Sequence, residues 1–276
     1  LSEAGFQPVV CVIPDGEAHK TLETVQLLYG VLVQADLNRR DTVLALGGGV
    51  TGDIAGFAAA TYMRGVRFVQ VPTSLLAMTD ASVGAKTGVD LPQGKNLVGA
   101  FKQPELVFVD MAVLKTLPAV EVRSGLAEVF KHGLIGDPDL FEALAGTTLA
   151  DAPAIGADLL ARSIQVKIHI VREDPWESDR RATLNLGHTV GHALELLSGY
   201  QLRHGEAVAI GMVASARIAE RMWCMDEGLS DRVTSLLAAM DLPVKCPPWS
   251  VSEIWGAMRH DKKRQGARLR WVLPRA

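Results

Sequence analysis

The sequence predicts an α/β domain over residues 1–117 followed by an all-α domain over residues 118–276. Two observations support this division. Up to Leu117, short runs of β-branched residues alternate with stretches whose apolar residues recur at helical spacing, which is typical of a parallel sheet covered by helices. After Pro118 the apolar residues recur only at helical spacing, so the second half predicts helices alone.

The first domain is predicted to contain four strands and two helices. Short runs rich in Val, Ile and Leu predict strands over 9–13, 42–46, 66–71 and 106–109. Helical spacing predicts helices over 22–32 and 54–62. The polar and glycine-rich stretch 73–96 is interpreted as a long connection, and a connection of this length in a compact domain is usually functional.

The second domain is predicted to be a set of helices. Their predicted ranges are 119–135, 138–145, 154–172, 187–197, 205–223 and 229–240. Residues 267–273 predict either a late strand or an extended tail.

Composition limits the classes of function. Apolar residues make up 48% of the 276 residues, which is enough for a substantial core. A net charge of -3 argues against a nucleic-acid partner, and no apolar run is long enough to span a membrane. Three widely spaced cysteines favour a reducing compartment, so we expect a cytoplasmic protein. The chain begins without Met and in mid-pattern, as expected of a fragment or a trimmed protein.

A metal site is predicted around residues 185–206. His188 and His192 are four residues apart and share one face of a helix, and a turn before His204 could bring it back toward His188. Neutral imidazole suits zinc, and Glu128 is the natural candidate for a carboxylate ligand. Any one of these histidines is more simply a residue held by hydrogen bonds. Three of the chain's seven histidines in one glycine-flanked window nevertheless favour a metal site.

A glycine-rich turn follows the strand 42–46. Residues 47–53 read Gly-Gly-Gly-Val-Thr-Gly-Asp, and a strand, glycines and a helix in this order allow backbone N–H groups to approach a phosphate. The pattern is neither the spaced dinucleotide fingerprint nor a Walker motif. A tight turn that binds no ligand is the alternative interpretation.

Cationic residues recur beside these segments. Each single lysine or arginine is more simply a solvated residue, but their gathering near the metal-type ligands favours anion binding. Lys131 lies three residues after Glu128 on the same helical face, which predicts either an ion pair or a face that binds both a metal and an anion.

Taken together, these motifs resemble the 3-dehydroquinate synthase family of sugar-phosphate cyclases. The resemblance covers nearly the whole chain. It is carried by residues 14–17 with Lys20, 47–53, 61–66, 94–101, 125–129, 185–192, 204–206 and 261–263.

The resemblance implies a Rossmann-like nucleotide-binding domain and a lyase that depends on NAD and zinc, with Co²⁺ as a possible alternative metal. The implied reaction converts 3-deoxy-D-arabino-heptulosonate 7-phosphate to 3-dehydroquinate and phosphate in the shikimate pathway, which leads to chorismate and the aromatic amino acids. It comprises transient oxidation at C5, loss of phosphate, reduction of C5, ring opening and aldol closure. The implied assembly is a homodimer, because Arg64 resembles a residue that reaches the phosphate bound by the neighbouring subunit.

The resemblance also implies roles for individual residues. The metal ligands would be Glu128, His188 and His204. The cofactor would contact Glu17, Lys20, Gly48, Gly49, Val50, Asp53, Thr73, Ser74, Leu76, Asp80, Lys95 and Asn96. The substrate would contact Arg64, Lys86, Asn96, Lys131, Lys167, Arg181, Asn185, His192 and Lys262. The catalytic group would be Asp80, which also faces the substrate, with Lys86, Lys131, Lys167, Arg181, Asn185, His192 and Lys262.

Three positions depart from the family pattern, and three other functions compete. Ser74, Ala81 and Ala85 stand where the family commonly has Thr, Ser and Gly. The competing functions are a cyclase acting on a sugar phosphate without a carboxylate, a metal-dependent polyol dehydrogenase, and a non-catalytic fragment. Arg181 and Lys167, which we expect near the substrate carboxylate, favour the 3-dehydroquinate synthase reaction.

Overall fold

The computed structural model describes residues 1–145, 155–225, 227–259, 264–265 and 268–275. The chain forms two compact units. The α/β unit comprises Leu1–Thr73 and Ala81–Asp110, and the helical unit comprises Ser74–Asp80 and Met111–Ala276. This architecture agrees with the predicted fold class.

The α/β unit is built on a three-stranded parallel sheet. Its elements are α1 (Leu22–Gln34), β1 (Thr42–Gly47), α2 (Gly49–Thr61), β2 (Arg67–Pro72), β3 (Lys86–Leu91), β4 (Gly94–Phe101) and β5 (Leu106–Val107). The strand order is β1-β2-β5, and Thr42 pairs with Arg67. Ala45 and Phe68 are buried in one core cluster with Ala55 and Ala59 of α2, so α2 covers one face of the sheet. The strands predicted over 42–46, 66–71 and 106–109 are confirmed, the last in a shorter form.

The strand predicted over 9–13 is wrong. Within the described residues this segment joins no sheet, and the side chains of Val9, Val10 and Val12 are 65%, 81% and 87% exposed. β-Branched residues favour an extended backbone, but a strand also needs a hydrogen-bonded neighbour and a buried face.

The long connection predicted over 73–96 is also wrong. A single π-helical turn occupies Ala77–Ala81, and β3 and β4 then form an antiparallel hairpin. Gly88 and Gly99 face each other across the hairpin, and a Cβ on Gly88 would lie 2.5 Å from the carbonyl oxygen of Val98. Gly88 and Gly99 are therefore not loop residues, because they permit the two strands of the hairpin to approach closely.

The helical unit contains seven helices in the described residues. They are α3 (Ala119–Gly136), α4 (Pro138–Ala145), α5 (Ala157–Glu173), α6 (His188–Leu197), α7 (His204–Arg221), α8 (Leu229–Ala239) and α9 (Val251–Met258). The six predicted helices are confirmed. The helix α9 is absent from the prediction, although its capping box, Ser250 and Glu253, is visible in the sequence.

The end of the chain contains one small antiparallel pair, β6 (Arg264–Gln265) and β7 (Arg268–Leu269). The structure therefore has a two-residue strand inside the segment 267–273. No helix in the described part of the chain has both the length and the apolar character needed to cross a bilayer.

Ala85 provides a test of backbone strain in the α/β unit. Its φ is +61°, a conformation that suits glycine and costs an L-residue roughly 1–2 kcal/mol. We expect Ala85→Gly to raise the free energy of unfolding by about 1 kcal/mol, measured by urea denaturation. The matched control is Ala100→Gly, the next-to-last residue of β4, which should lower stability by about 0.5–1 kcal/mol. Equal losses in both variants would show that Ala85 is unstrained.

Candidate functional site

Three helices of the helical unit bring Glu128, His188 and His204 together. Glu128 lies in α3, His188 begins α6 and His204 begins α7. The Nε2 atoms of His188 and His204 lie 3.7 and 3.5 Å from Oε1 of Glu128. One ligand atom from each residue lies within 4.8 Å of the other two, so the three predicted metal ligands converge on one point.

Glycines allow these helices to approach closely. A Cβ on Gly205 would lie 2.1 Å from the carbonyl oxygen of Ser124 in α3, and a Cβ on Gly211 would lie 1.9 Å from that of Gly187. The N–H of Gly205 also donates to Oγ of Ser124 at 3.0 Å. Gly187 itself has a φ of +81° at the start of α6, where a side chain would be strained. The positions of the three ligands therefore depend on contacts that only glycine permits.

The donor set fits a divalent metal ion. Oε1 of Glu128 is buried and has no hydrogen-bond partner among the described residues, which is costly for a carboxylate oxygen unless a cation lies beside it. A tetrahedral zinc ion with bonds of about 2.0–2.2 Å places its ligand atoms roughly 3.3–3.6 Å apart. The separations of 3.5 and 3.7 Å are close to that range.

Outer contacts orient both imidazoles toward Glu128. Nδ1 of His188 lies 3.1 Å from the carbonyl oxygen of Leu186, which can only accept, so Nδ1 donates and the neutral ring has its lone pair on Nε2. Nδ1 of His204 lies 3.6 Å from Oε2 of Glu195. Ligating histidines in metal proteins commonly have such partners for the second ring nitrogen.

Buried charges on α3 balance one another. Lys131 is almost fully buried and donates to Oε2 of Glu128, so the ion pair predicted from their spacing is present. Burial raises the pKa of Glu128, but Lys131 and His204 together outweigh that effect, and the net pKa is lowered. Burial lowers the pKa of His204, but the carboxylates of Glu128 and Glu195 raise it above its usual value. A metal ion bound here must therefore displace a proton from His204.

Further predicted substrate residues line the same unit. Nζ of buried Lys167 lies 2.5 Å from Oδ1 of Asp80. Burial lowers the pKa of Lys167, and Asp80 opposes that shift. Arg181 is also buried, and its Nη1 donates to the carbonyl oxygen of Pro175 at 2.7 Å. The ring of His192 lies 5.3 Å from that of His188 and 6.3 Å from that of His204, between centroids.

The sequence interpretation missed several polar residues here. Glu195 follows His188 by seven residues on one face of α6, a spacing that could have identified it. His132 is fully buried, and its Nδ1 lies 2.8 Å from Oγ of Ser163. Burial, reinforced by the charge of Lys131, lowers the pKa of His132 to about 3, so its ring is neutral. Nothing in the sequence distinguishes His132 from an ordinary core histidine.

In the α/β unit, Lys20 gathers several predicted cofactor residues. Its buried Nζ lies 2.6 Å from Oδ2 of Asp53 and donates to Oδ1 of Asn96 at 2.6 Å. Glu17 lies 3.9 Å from the same ammonium and 3.5 Å from that of Lys95. Five predicted cofactor residues therefore form one polar cluster.

The glycine turn leads directly into α2. Gly48 is the N-terminal cap of α2, Gly49 and Val50 begin its first turn, and that turn contains no acidic residue. The backbone N–H of Thr73 donates to the carbonyl oxygen of Gly47 at 2.9 Å, which places the end of β2 beside the turn. The N–H groups at a helix start of this kind are suited to an anion.

The remaining predicted residues lie elsewhere. Arg64 is exposed after α2 with a φ of +67°, and Lys86 is exposed at the start of β3. In the helical unit, Oγ of Ser74 accepts from the N–H of Ala77 at 3.3 Å, and Leu76 lies in the same segment. Lys262 lies outside the described residues.

Comparison with known proteins shows which family the chain resembles over its whole length. The family profile for the N-terminal part of 3-dehydroquinate synthase matches residues 10–124, and the profile for the C-terminal part matches residues 125–264. A 3-dehydroquinate synthase from a Synechocystis strain is 50% identical over 100% of this chain and 78% of its own length.

Two solved structures are similar in fold and sequence. A 2-epi-5-epi-valiolone synthase from Streptomyces hygroscopicus with NAD⁺ and Zn²⁺ bound superposes with a TM-score of 0.88 and 33% identity, covering 96% of this chain and 75% of that one. A 2-deoxy-scyllo-inosose synthase complexed with carbaglucose-6-phosphate, NAD⁺ and Co²⁺ superposes with a TM-score of 0.83 and 34% identity, covering 93% and 71%.

Gly205 provides a test of the helix contact beneath the ligands. We expect Gly205→Ala to lower the free energy of unfolding by about 1–3 kcal/mol, because the added methyl meets the backbone of Ser124. Metal content should fall with it, since His204 is the neighbouring residue. The control Gly256→Ala lies in α9 with nothing within 4 Å of the new methyl, and it should raise stability by up to about 1 kcal/mol. Urea denaturation and metal analysis measure both effects, and a neutral Gly205→Ala would contradict the role of this contact.

Proposed function

The chain belongs to the 3-dehydroquinate synthase family, and from this premise we propose how its own residues carry out the reaction. The reaction is the conversion of 3-deoxy-D-arabino-heptulosonate 7-phosphate to 3-dehydroquinate and phosphate, in the shikimate pathway. The observation that carries the proposal is the buried oxygen of Glu128 that faces two imidazoles without a hydrogen-bond partner among the described residues.

Glu128, His188 and His204 are proposed to hold a divalent metal ion, with zinc as the first candidate and cobalt as the second. Similar structures contain Zn²⁺ or Co²⁺, and the donor set of one carboxylate and two imidazoles suits both ions. When bound, the ion supplies a Lewis-acidic charge for a substrate hydroxyl, and NAD supplies the hydride acceptor and donor. Glu195 and the carbonyl of Leu186 keep the two imidazoles aimed at the ion.

NAD is proposed to bind the α/β unit. Similar structures contain NAD⁺, and the glycine turn opens a helix whose first N–H groups are suited to a pyrophosphate. The cluster around Lys20 supplies hydrogen-bond donors and acceptors for the ribose groups: Glu17, Lys20, Asp53, Lys95 and Asn96. Thr73, Ser74, Leu76 and Asp80 remain proposed cofactor contacts.

The substrate is proposed to bind the cationic residues of the helical unit. Lys131, Lys167 and Arg181 are buried, so their charges are little screened and suit a small dianionic ligand. Arg181 can bind a carboxylate with two parallel hydrogen bonds, which favours this substrate over sugar phosphates without a carboxylate. The residues also orient the substrate for elimination, in which the leaving phosphate itself can accept the proton. Asn185 and the other predicted residues remain proposed substrate contacts: Arg64, Lys86, Asn96, His192 and Lys262. Arg64 remains the basis for proposing a homodimer.

The reaction balance tests this function. Incubation with 3-deoxy-D-arabino-heptulosonate 7-phosphate, zinc and NAD⁺ at a catalytic amount should release one phosphate per substrate without net NADH, because C5 is oxidised and then reduced again. Phosphate is measured colorimetrically and NADH by absorbance. Stoichiometric NADH without phosphate would indicate a dehydrogenase, and the absence of both products would contradict the proposed function.

Removal of one metal ligand tests the metal site separately. We expect His188→Ala to reduce bound zinc from about one ion per chain to nearly none, and to abolish phosphate release. The fold should persist, because the backbone contacts at Gly205 and Gly211 do not involve the imidazole. The control is His169→Ala, an exposed histidine on α5 that pairs with Glu173 at 3.1 Å and should retain its zinc. Metal analysis and circular dichroism provide the measurements, and full zinc content in His188→Ala would rule out this ligand set.

A further inference from the structure

The segment 174–181 precedes Asn185 and is held by one carboxylate. Asp174 accepts hydrogen bonds from the N–H groups of Ser178, Asp179 and Arg181 at 2.9, 2.8 and 3.0 Å. It also accepts from the hydroxyl of Ser178 at 2.9 Å. These bonds define the backbone of the loop and therefore the place of the residue at its centre, Glu177.

Glu177 has an unusual backbone conformation. Its φ is +59°, in the left-handed region that favours glycine. Such a conformation in a residue with a long side chain persists only where the surrounding structure enforces it, and it is frequent at functional sites. The hydrogen bonds of Asp174 hold the loop, and with it the backbone of Glu177, in this conformation. The conformation in turn fixes where the Glu177 side chain begins.

The carboxylate of Glu177 contacts the amide of Asn185. Nδ2 of Asn185 donates to Oε1 of Glu177 at 3.1 Å. An ionised carboxylate can only accept, so the NH₂ end of the amide must face Glu177 and the oxygen end must face away. Among the described residues, Oδ1 of Asn185 accepts no hydrogen bond. Asn185 therefore presents an acceptor on its other side.

We propose that Glu177 is a positioning residue that fixes the amide of Asn185 so that its oxygen accepts a hydrogen bond from a substrate hydroxyl. The inference rests on the proposed function, because it assumes that Asn185 contacts the substrate. It gives Asn185 a task different from that of the cationic residues, since an amide oxygen repels phosphate and carboxylate oxygens. Anion binding is then the task of Lys131, Lys167 and Arg181, and Asn185 selects for the hydroxyl.

Glu177 also lies near one of those cations. Burial lowers the pKa of Arg181, and the carboxylate of Glu177 opposes that shift. The Glu177 carboxylate thus stabilises the positive charge of Arg181 and also orients the Asn185 amide, whose oxygen is a hydrogen-bond acceptor. Removing its charge should disturb both contacts, so a test of the amide orientation must restore the polarity of the pair rather than only delete it.

A polarity swap tests the orientation. Asn185→Asp places two carboxylates face to face and should lower kcat/KM by about 10- to 100-fold, mainly through KM. Glu177→Gln should lower it by about 2- to 10-fold, because glutamine can present either end to Asn185. In the variant that carries both substitutions, the introduced glutamine can donate to the introduced aspartate and leave the other carboxylate oxygen as an acceptor. Its kcat/KM should therefore recover to within about 10-fold of the parent chain. Losses that multiply in the double variant would overturn the proposal.

Glu177→Gly separates positioning from stability. Glycine suits the φ of +59°, so the midpoint of thermal unfolding should stay unchanged or rise by about 2–4 °C while KM increases. A fall in both the midpoint and the activity would indicate a purely structural role and contradict the proposal.

A second measurement does not depend on turnover. The affinity of every variant for 3-dehydroquinate is measured by calorimetry with NAD⁺ and zinc present. If the parent chain released no phosphate, the proposed function would fail. The recovery of product affinity in the double variant would still decide the role of Glu177.

Discussion

The contact of α7 with α3 and α6 determines where the functional side chains of the helical unit lie. Gly205 touches the backbone of Ser124, and Gly211 touches that of Gly187, at distances that leave no room for a side chain. Backbones that meet this closely cannot slide without steric overlap, so the helix starts are held in register. His188 and His204 stand at those starts, so the packing of the helices fixes where the two histidines lie.

The fold could be predicted where a pattern in the sequence reflects burial on one face. The three strands of the parallel sheet and eight helices, α1 to α8, follow from apolar periodicity. Prediction failed for the β3–β4 hairpin, because Gly88 and Gly99 serve a close approach of strands that has no local signature. It also failed for residues 9–13, whose β-branched side chains are exposed. In both cases the residue types alone do not decide whether a segment finds a strand to pair with.

The site could be predicted only as far as residue types indicate chemistry. Helical spacing indicates His188 and His192, and a carboxylate ligand can be anticipated from the resemblance of residues 125–129 to a known family. Glu177 could not be found in this way. Its contact with Asn185 depends on a left-handed backbone that Asp174 enforces through a loop, and nothing in the residue order identifies that conformation.

Glu128 joins the proposed metal site to the proposed anion site because its two oxygens face different partners. Oε2 accepts from Lys131, and Oε1 faces His188 and His204. A buried carboxylate with a cation on each side shares one negative charge between two positive ones. Each cation therefore weakens the attraction between the carboxylate and the other cation. Lys131 therefore retains part of its positive charge for an anionic ligand when a metal ion occupies the other side. Burial and the adjacent charge of Lys131 also lower the pKa of the next residue, His132, so its ring stays neutral in the core and needs no counter-ion.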